Sequence, residues 1–369
     1  MTRKTNKKTS KKVRILQVIA VIVVLIACGG ALLYNMSMSA ADPGDTEIRP
    51  FTVGEGDTYR TLGPRLKEEG FIRSETAYRL FIKSNAPDTP LYTGKYPLSP
   101  SMDLREIVDT IASGETYYPD AFFLTFPEGK NMRYIASEIA ENTDNTEEDV
   151  YALLSDTEYL DRLLEEYWFL TDDIKDPRAY YSLEGYLFPD TYEFKGPEMT
   201  VEEIFGMMLD RTGEILEPYR DAIRNSPYTL HQIMTMASIV ELEAGNANDR
   251  AGVAGVFYNR LRDGWALGSD VTTYYAIKVE VYERDLYMWE IEDVNAYNTR
   301  PDAMAGQFPV GPICNPGAES IYAALFPSSH DYYYFVSDKN GNTYFAEDYD
   351  YFEEIIYSLQ EQGLWYEYE

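Results

Sequence analysis

The most prominent feature of the hydrophobic pattern is an uncharged stretch from Ile15 to Tyr34. The residues before it contain seven Lys and Arg side chains and no acid. Twenty helical residues span about 30 Å, the thickness of a bilayer's hydrocarbon core. The pattern predicts a cytoplasmic basic tail (1–14), a transmembrane helix (15–34) and an extracytoplasmic chain beyond. A cleaved signal peptide is the alternative, because residues 37–41 include the small side chains of a cleavage site.

Two further segments follow the apolar stretch. Residues 35–46 are small and polar and predict a linker. Alternation and helical spacing then predict a strand, two helices and a return strand, over 48–57, 59–69, 74–84 and 94–98. This order is similar to that of LysM modules, and the similarity implies a small LysM-like module over 47–118 that binds amino-sugar polymers. A spacer domain that only orients the rest of the chain is the alternative.

The remaining residues, 119–369, mix helical periodicity with short alternating stretches, which predicts an α+β fold. Long helices are expected over 146–170 and over 201–223, the second one broken or kinked at Pro218. A hairpin turn is expected at 338–341, where Gly supplies a positive φ. A last helix follows this hairpin.

Glu241 is the first candidate for chemistry, at the end of a mostly apolar helical run over 229–245. It borders the stripe predicted to face the core, formed by Ile233, Met236, Ala237, Val240 and Ala244. A carboxyl held against apolar neighbours resists ionisation, so a raised pKa is expected, and with it the ability to donate a proton. The alternative is a half-solvated Glu at a helix end that forms a surface pair with Arg250.

Charge and cysteine content exclude several classes of function. The chain beyond Tyr34 contains 25 basic and 62 acidic residues, a net charge of −37. Such a surface does not attract nucleic acid or anionic lipid. Cys28 lies in the predicted span and Cys314 far beyond it, so they cannot pair within one chain. With two His and two Cys at no ligand spacing, the sequence indicates no metal site and no cofactor.

Seven short motifs occur in order along the chain. They are Phe126-Pro-Glu-Gly129, Leu183-Glu-Gly-Tyr-Leu-Phe-Pro-Asp-Thr-Tyr192, Ala237-Ser-Ile-Val-Glu241, Val253-Ala-Gly-Val-Phe-Tyr-Asn-Arg-Leu-Arg262, Tyr297-Asn-Thr299, Gly311-Pro-Ile-Cys-Asn-Pro-Gly317 and Tyr334-Phe-Val336. Together they resemble the YceG-like family, the MltG-type endolytic murein transglycosylases. The resemblance covers nearly everything from the apolar stretch to the last helix.

The resemblance implies a YceG-like catalytic domain over 119–369 with Glu241 as its acid/base. The chain departs from the family where the usual Leu-Gln-(Ser/Thr)-Asp-Pro-Thr-Val is replaced by Leu267-Gly-Ser-Asp-Val-Thr-Thr273. Asp270 is retained, but the Gln and the Pro are missing. A substrate contact through that Gln and the family's shape of this turn therefore need not carry over.

The activity implied is endolytic cleavage of nascent peptidoglycan glycan strands between N-acetylmuramic acid and N-acetylglucosamine. One carboxyl suffices if Glu241 protonates the glycosidic oxygen and then takes the proton of the C6 hydroxyl, leaving 1,6-anhydro ends. A membrane-anchored enzyme of this kind is expected to end strand elongation beside membrane-bound peptidoglycan synthases. The alternatives are a catalytically silent wall-binding scaffold and a lysozyme-type hydrolase, which needs a second carboxyl such as Asp270 or Glu184.

Other residues are weaker candidates for contacts with the sugar. They are Asp270, Glu184, Tyr186, Asn259, Tyr297, Asn298 and Asn315. Each has an alternative role: Asp270 in capping a helix over 271–277, the Asn residues in fixing loop backbone, and the Tyr residues in the core. Glu243 points away from Glu241 by about 200° on a helix, which predicts a surface position or a supporting one.

Overall fold

The computed structural model describes residues 7–85 and 90–365. Residues 1–6 of the predicted basic tail, 86–89 of the predicted LysM-like module and 366–369 of the predicted catalytic domain lie outside the described residues. The chain forms two compact units, one up to Asp120 and one from Ala121 onward.

The first unit contains the apolar segment. Helix α1 covers Lys7–Met38, which is longer at both ends than the predicted span. Its part from Arg14 to Met38 is the one helix of the described residues that is long and apolar enough to cross a membrane. A signal sequence near an N-terminus has the same properties, so both interpretations of this segment remain.

The rest of the first unit is a small α+β arrangement. Its elements are β1 (Arg49–Val53), α2 (Leu62–Glu68), α3 (Glu75–Asn85), β2 (Gly94–Leu98) and α4 (Leu104–Ser113). β1 and β2 are antiparallel and pair from Arg49↔Leu98 to Val53↔Gly94. Alternate strand residues, including Phe51 and Tyr96, are buried against the helices. The strand–helix–helix–strand order is therefore as predicted, whereas the LysM-like identity of the unit stays a prediction.

The second unit is mainly helical. Its helices are α5 (Met132–Asn142), α6 (Glu147–Leu154), α7 (Thr157–Glu166), α8 (Val201–Leu216), α9 (Arg220–Asn225), α10 (Leu230–Glu243), α11 (Arg250–Arg262), α12 (Asp270–Ile277), α13 (Met288–Glu292), α14 (Ala318–Leu325) and α15 (Tyr349–Glu361). Its strands form two antiparallel pairs, β3 (Phe122–Thr125) with β4 (Thr191–Phe194) and β5 (Tyr334–Ser337) with β6 (Thr343–Ala346). Helices beside antiparallel pairs confirm the α+β class.

Two predicted helices are divided in the structure. The stretch 146–170 forms α6 and α7, because the side chain of Asp156 accepts hydrogen bonds from the backbone N–H groups of Glu158 and Tyr159 and starts a new helix. The stretch 201–223 is interrupted by a 3₁₀ turn, Glu217–Tyr219, between α8 and α9. Pro218 lies in this turn, where its missing N–H and fixed φ are tolerated.

Helix α10 is the centre of the second unit. Thr229 and Gln232 form a reciprocal capping box at its N-terminus. The prediction of a single core-facing stripe was too narrow, since every residue from Ile233 to Val240 is buried. The other face is covered by the loop before α14, where the backbone N–H of Ile313 donates to Ser238 Oγ at 3.0 Å. Residues at both ends of α10 are less buried, and Leu242 in the last turn is exposed.

Gly185 is expected to be essential for the loop that covers α10. Its φ is 86°, and an added Cβ would overlap Pro312. Gly185→Ala should lower the free energy of unfolding by about 3 kcal/mol, from backbone strain and overlap together. Gly264→Ala is the matched control, with a φ of 74° and no neighbouring atom within 4 Å, and should cost only about 1 kcal/mol. Chemical denaturation measures both; equal losses would show that Pro312 moves aside freely.

Candidate active site

Glu241 lies in the last turn of α10 with both carboxylate oxygens bound. Its side chain is 7% exposed. Arg250 Nη2 donates to Oε1 at 3.0 Å, and the backbone N–H of Gly317 donates to Oε2 at 3.0 Å. The partner expected in the alternative interpretation, Arg250, is thus present. The carboxyl is shielded rather than half-solvated, as a group at the base of a site would be.

The two donors come from the helices that flank α10. Arg250 is the first residue of α11, and its side chain is 14% exposed. Its Nη1 also donates to Glu319 Oε2 at 2.6 Å, so one guanidinium bridges two carboxylates. Gly317 directly precedes α14, and its N–H is one of those that a helix N-terminus leaves free for an acceptor. The packing of the three helices therefore fixes the carboxyl of Glu241.

A second carboxyl, that of Glu128, lies beside Glu241. A Cβ added to Gly317 would overlap the Glu128 carboxyl, so only glycine permits this approach. Because both carboxyls contact Gly317, their nearest oxygens are at most about 7.5 Å apart. Burial, followed by repulsion from Glu241, raises the pKa of Glu128. Glu128 was not among the predicted site residues, although the motif Phe126-Pro-Glu-Gly129 contains it.

A cavity of about 460 Å³ opens next to this group. Gly129 and Leu242 belong to its wall, and a Cβ added to Gly129 would lie 3.6 Å from Glu241 Cγ. The remaining wall comes from the start of α5, from α12, from the segment after α12 and from Ile313 in the loop before α14. Glu241 and Glu128 do not line this space themselves, but the residues that follow them in the chain do, and the space is large enough for part of a polysaccharide chain.

Glu184 is fully buried and is held by the protein itself. Its carboxylate accepts hydrogen bonds from the backbone N–H of Met132 at 3.0 Å, from the Tyr275 hydroxyl at 2.8 Å and from Asn315 Nδ2 at 3.3 Å. Met132 begins α5, so Glu184 supplies an acceptor at that helix N-terminus. Burial nevertheless raises the pKa of Glu184 to about 7. These contacts stabilise the fold, and a contact with substrate stays a prediction.

The three Asn candidates also bind backbone. Asn315 Oδ1 accepts from the N–H of Leu187 at 3.0 Å. Asn259 Nδ2 donates to two carbonyls in the loop before β5, at 2.8 and 2.9 Å. Asn298 Nδ2 donates to three carbonyls near α13, at 2.7 to 3.1 Å. All three are buried, which agrees with the loop-fixing alternative stated above.

The two Tyr candidates are core residues. Tyr186 and Tyr297 are each 1% exposed. The hydroxyl of Tyr186 is 2.9 Å from His231 Nδ1, and that of Tyr297 accepts from the N–H of Tyr180 at 3.0 Å. Neither ring presents a face to solvent on which a sugar could stack.

Asp270 is the weaker candidate that remains accessible. It is the first residue of α12, but it pairs with Arg300, whose Nε donates to Oδ1 at 2.7 Å, instead of capping the helix. Glu243 is half-buried and accepts a hydrogen bond from Ser269 Oγ at 2.5 Å, which agrees with the supporting position expected of it. Burial raises the pKa of Glu243. Glu243 thus ties the end of α10 to the start of α12.

Comparison with known proteins agrees with this architecture. The profile of the YceG-like family matches residues 51–357. The chain belongs to the YceG-like family. An endolytic murein transglycosylase of Bacillus subtilis is 34% identical over 321 residues, which cover 86% of this chain and 87% of the relative. One of Streptococcus pneumoniae is 30% identical over 350 residues, 89% of this chain and 63% of the relative.

A solved structure has the same fold. The crystal structure of a yceG-like protein from Listeria monocytogenes aligns with a TM-score of 0.59 at 31% identity, covering 84% of this chain and 99% of that chain. The family predicted from the seven motifs is therefore confirmed. In this YceG-like chain, segments far apart in sequence meet at Glu241: the Phe126–Gly129 turn, the start of α11 and the Gly311–Gly317 loop.

Glu184 should make the stability of this YceG-like chain depend on pH. Its pKa is raised from 4.5 to about 7 in the folded state, so the folded chain keeps a proton that the unfolded chain releases. Stability contributed by Glu184 should therefore decrease as pH rises from about 4.5 to about 7 and stay constant above. The difference in unfolding free energy between wild type and Glu184→Gln should fall by about 3 kcal/mol over this range. Denaturation at several pH values measures it; a pH-independent difference would contradict the assignment.

Proposed function

We propose that this protein is a membrane-anchored endolytic peptidoglycan transglycosylase, a lyase that cleaves glycan strands with Glu241 as acid/base. The observation that carries the proposal is a shielded carboxyl, 7% exposed, beside a cavity and held by donors from two flanking helices. Membership of the YceG-like family supports it. So do the curated relatives, which are named endolytic murein transglycosylases.

In the proposed reaction Glu241 acts twice. Its carboxyl gives a proton to the oxygen between N-acetylmuramic acid and N-acetylglucosamine as the C1–O bond breaks. The same carboxylate then removes the proton of the C6 hydroxyl while that oxygen bonds to C1. The glucosamine leaves with a free hydroxyl, the muramic acid becomes a 1,6-anhydro sugar, and no water is consumed.

Arg250 suits a carboxyl that must alternate between donor and acceptor. In the substrate-free site it donates to Glu241 Oε1, but it also holds Glu319. When Oε1 turns towards the glycosidic oxygen, Arg250 keeps one carboxylate partner and is not left as an unpaired charge. The N–H of Gly317 continues to orient the other oxygen. One oxygen of the carboxyl thus keeps its partner, while the other can exchange Arg250 for the substrate. Such a carboxyl can deliver a proton in a fixed direction.

The site of action proposed is newly made glycan at the membrane surface. The apolar helix would anchor the protein with its N-terminus in the cytoplasm, as the basic residues before it favour. Its linker and the proposed LysM-like module would present strands to the catalytic unit. Cleavage there would end elongation by membrane-bound synthases, the proposed partners.

Hydrolysis is a second candidate because of Glu128. A lysozyme-type enzyme needs two carboxyls about 5 to 10 Å apart, and the carboxyl of Glu128 lies within the upper limit of that range from Glu241. The two reactions differ in product, since hydrolysis leaves reducing ends. A silent scaffold is disfavoured because the curated relatives are named as transglycosylases.

Glu241→Gln should abolish the formation of 1,6-anhydro ends, by at least about a thousandfold, because an amide cannot transfer the proton. Purified protein is incubated with uncross-linked glycan strands and the ends are identified by mass spectrometry. Glu243→Gln is the matched control, two residues further along the same helix, and should keep most of the activity. Normal activity in Glu241→Gln would refute the proposed role.

Glu128→Gln decides between the two reactions. If one carboxyl performs both proton transfers, this variant should still produce anhydro ends, slowed by less than about tenfold. If Glu128 activates a water, the wild type should release reducing ends and the variant should lose about a thousandfold in rate. The same mass-spectrometric assay gives both answers, since the two kinds of end differ in mass by one water.

A further inference from the structure

The cavity beside Glu241 has a cationic corner in an otherwise acidic protein. Lys130, Asn131 and Arg133, at the start of α5, line it together with tyrosines of α12. The chain beyond Tyr34 has a net charge of −37, which repels polyanions in general. The two cations of the cavity wall, Lys130 and Arg133, therefore stand out against the overall charge of the chain.

A carboxylate of the chain itself occupies this corner. Glu280 Oε1 accepts from Arg133 Nη2 at 2.9 Å and from Asn131 Nδ2 at 3.3 Å. It arrives there because the chain reverses after α12 at Lys278, the one non-glycine residue with a positive φ, 57°, among those described. Because the Glu280 carboxylate binds in this corner, the corner has the donors and the space that a carboxylate needs.

Glu280 is more exposed than Arg133, its partner in the pair. The Glu280 side chain is 40% exposed, and the next two residues, Val281 and Tyr282, are exposed as well. Arg133 is 23% exposed, and its guanidinium lies 5.8 Å from the ring centre of Tyr275, whose hydroxyl is fixed by the buried Glu184. Arg133 can therefore keep its orientation when another carboxylate replaces Glu280.

We propose that Arg133, with Asn131 and Lys130, binds a carboxylate of the substrate in place of Glu280. The inference rests on the proposed function, because the muramic acid of a glycan strand carries a lactyl-peptide arm with carboxylates. Binding this arm in the cavity places the muramic acid that bears it next to Glu241. The enzyme thereby selects strands with anionic arms and positions the bond to be cleaved.

The test uses the full-length protein and three forms of one preparation of uncross-linked strands. The first form carries intact stem peptides, the second has its carboxylates converted to methylamides, and the third has had its stems removed by an amidase, which frees the lactyl carboxylate. Initial rates of strand scission are measured by size at low substrate concentration. The wild type should cleave intact strands about tenfold faster than neutralised ones, the effect expected of one charge-assisted contact.

Three variants locate the effect. Arg133→Gln should slow cleavage of intact strands about tenfold and leave the rate on neutralised strands unchanged. Glu280→Gln removes the internal competitor, so it should keep or raise the rate on intact strands. Arg224→Gln, which removes one charge from the exposed surface pair with Asp221, is the control for charge alone and should match the wild type.

Three results would overturn the proposal. The first is that the wild type cleaves intact and neutralised strands at equal rates. The second is that Arg133→Gln slows cleavage of intact and neutralised strands by the same factor. The third is that Glu280→Gln slows cleavage as much as Arg133→Gln does, which would mean that the pair is purely structural.

In intact strands the lactyl group is bonded to the stem as an amide, so the carboxylate bound there belongs to the stem. A rate on the third form equal to that on intact strands shows that a free lactyl carboxylate also reaches the site, and a rate equal to that on neutralised strands shows that only stem carboxylates do.

The readouts separate this inference from the proposed reaction. Scission is scored by strand length, so reducing ends instead of anhydro ends would refute the transglycosylase chemistry without affecting the comparison of strands. Binding of fluorescently labelled intact and neutralised strands, followed by anisotropy, requires no turnover. The wild type should prefer intact strands and Arg133→Gln should not, even if the enzyme cleaved neither form.

Discussion

The organisation of the second unit depends on one requirement: a carboxylate at the end of a buried helix needs donors. Glu241 follows eight buried residues of α10 and can neither reach bulk water nor remain unpaired at acceptable cost. Arg250 supplies one donor and the N–H of Gly317 supplies the other. Arg250 begins α11 and Gly317 directly precedes α14. A shift of either helix against α10 would therefore move a donor and change the orientation of the Glu241 carboxyl.

Local signals in the sequence were sufficient for most elements and for Glu241 itself. The capping box at Thr229 and the long apolar run fix the start and length of α10 without reference to the rest of the chain. The divided helix at Asp156 was missed because the acidic stretch keeps a helical pattern on both sides of the break. The donors to Glu241 are a different case. Gly317 is 76 positions away in the chain, and no periodicity connects the two.

The polar candidates show what a single sequence does not contain. An Asn side chain offers the same donors and acceptor to a sugar hydroxyl and to a backbone carbonyl. Asn259, Asn298 and Asn315 use them on backbone because each is buried, and burial is decided by segments distant in sequence. The same holds for Glu184, whose loop of aromatic residues could equally have lined a cleft. The motifs shared with the family therefore contain residues that stabilise the fold as well as candidates for contact with a ligand, and the sequence does not separate the two.

The charges around the cavity differ on its two sides, and the difference has a physical consequence. Near the end of α10, Glu241 and Glu319 bind the single guanidinium of Arg250 and Glu128 lies beside them, so negative charge is in excess there; burial and this repulsion raise the pKa of Glu128. At the start of α5 two cations, Lys130 and Arg133, line the cavity, and Arg133 pairs with the partly exposed Glu280. An anionic arm is repelled by the first side and attracted by the second. For the proposed substrate, this difference favours the orientation in which the anionic arm meets Arg133 and the neutral glycosidic bond is directed towards Glu241.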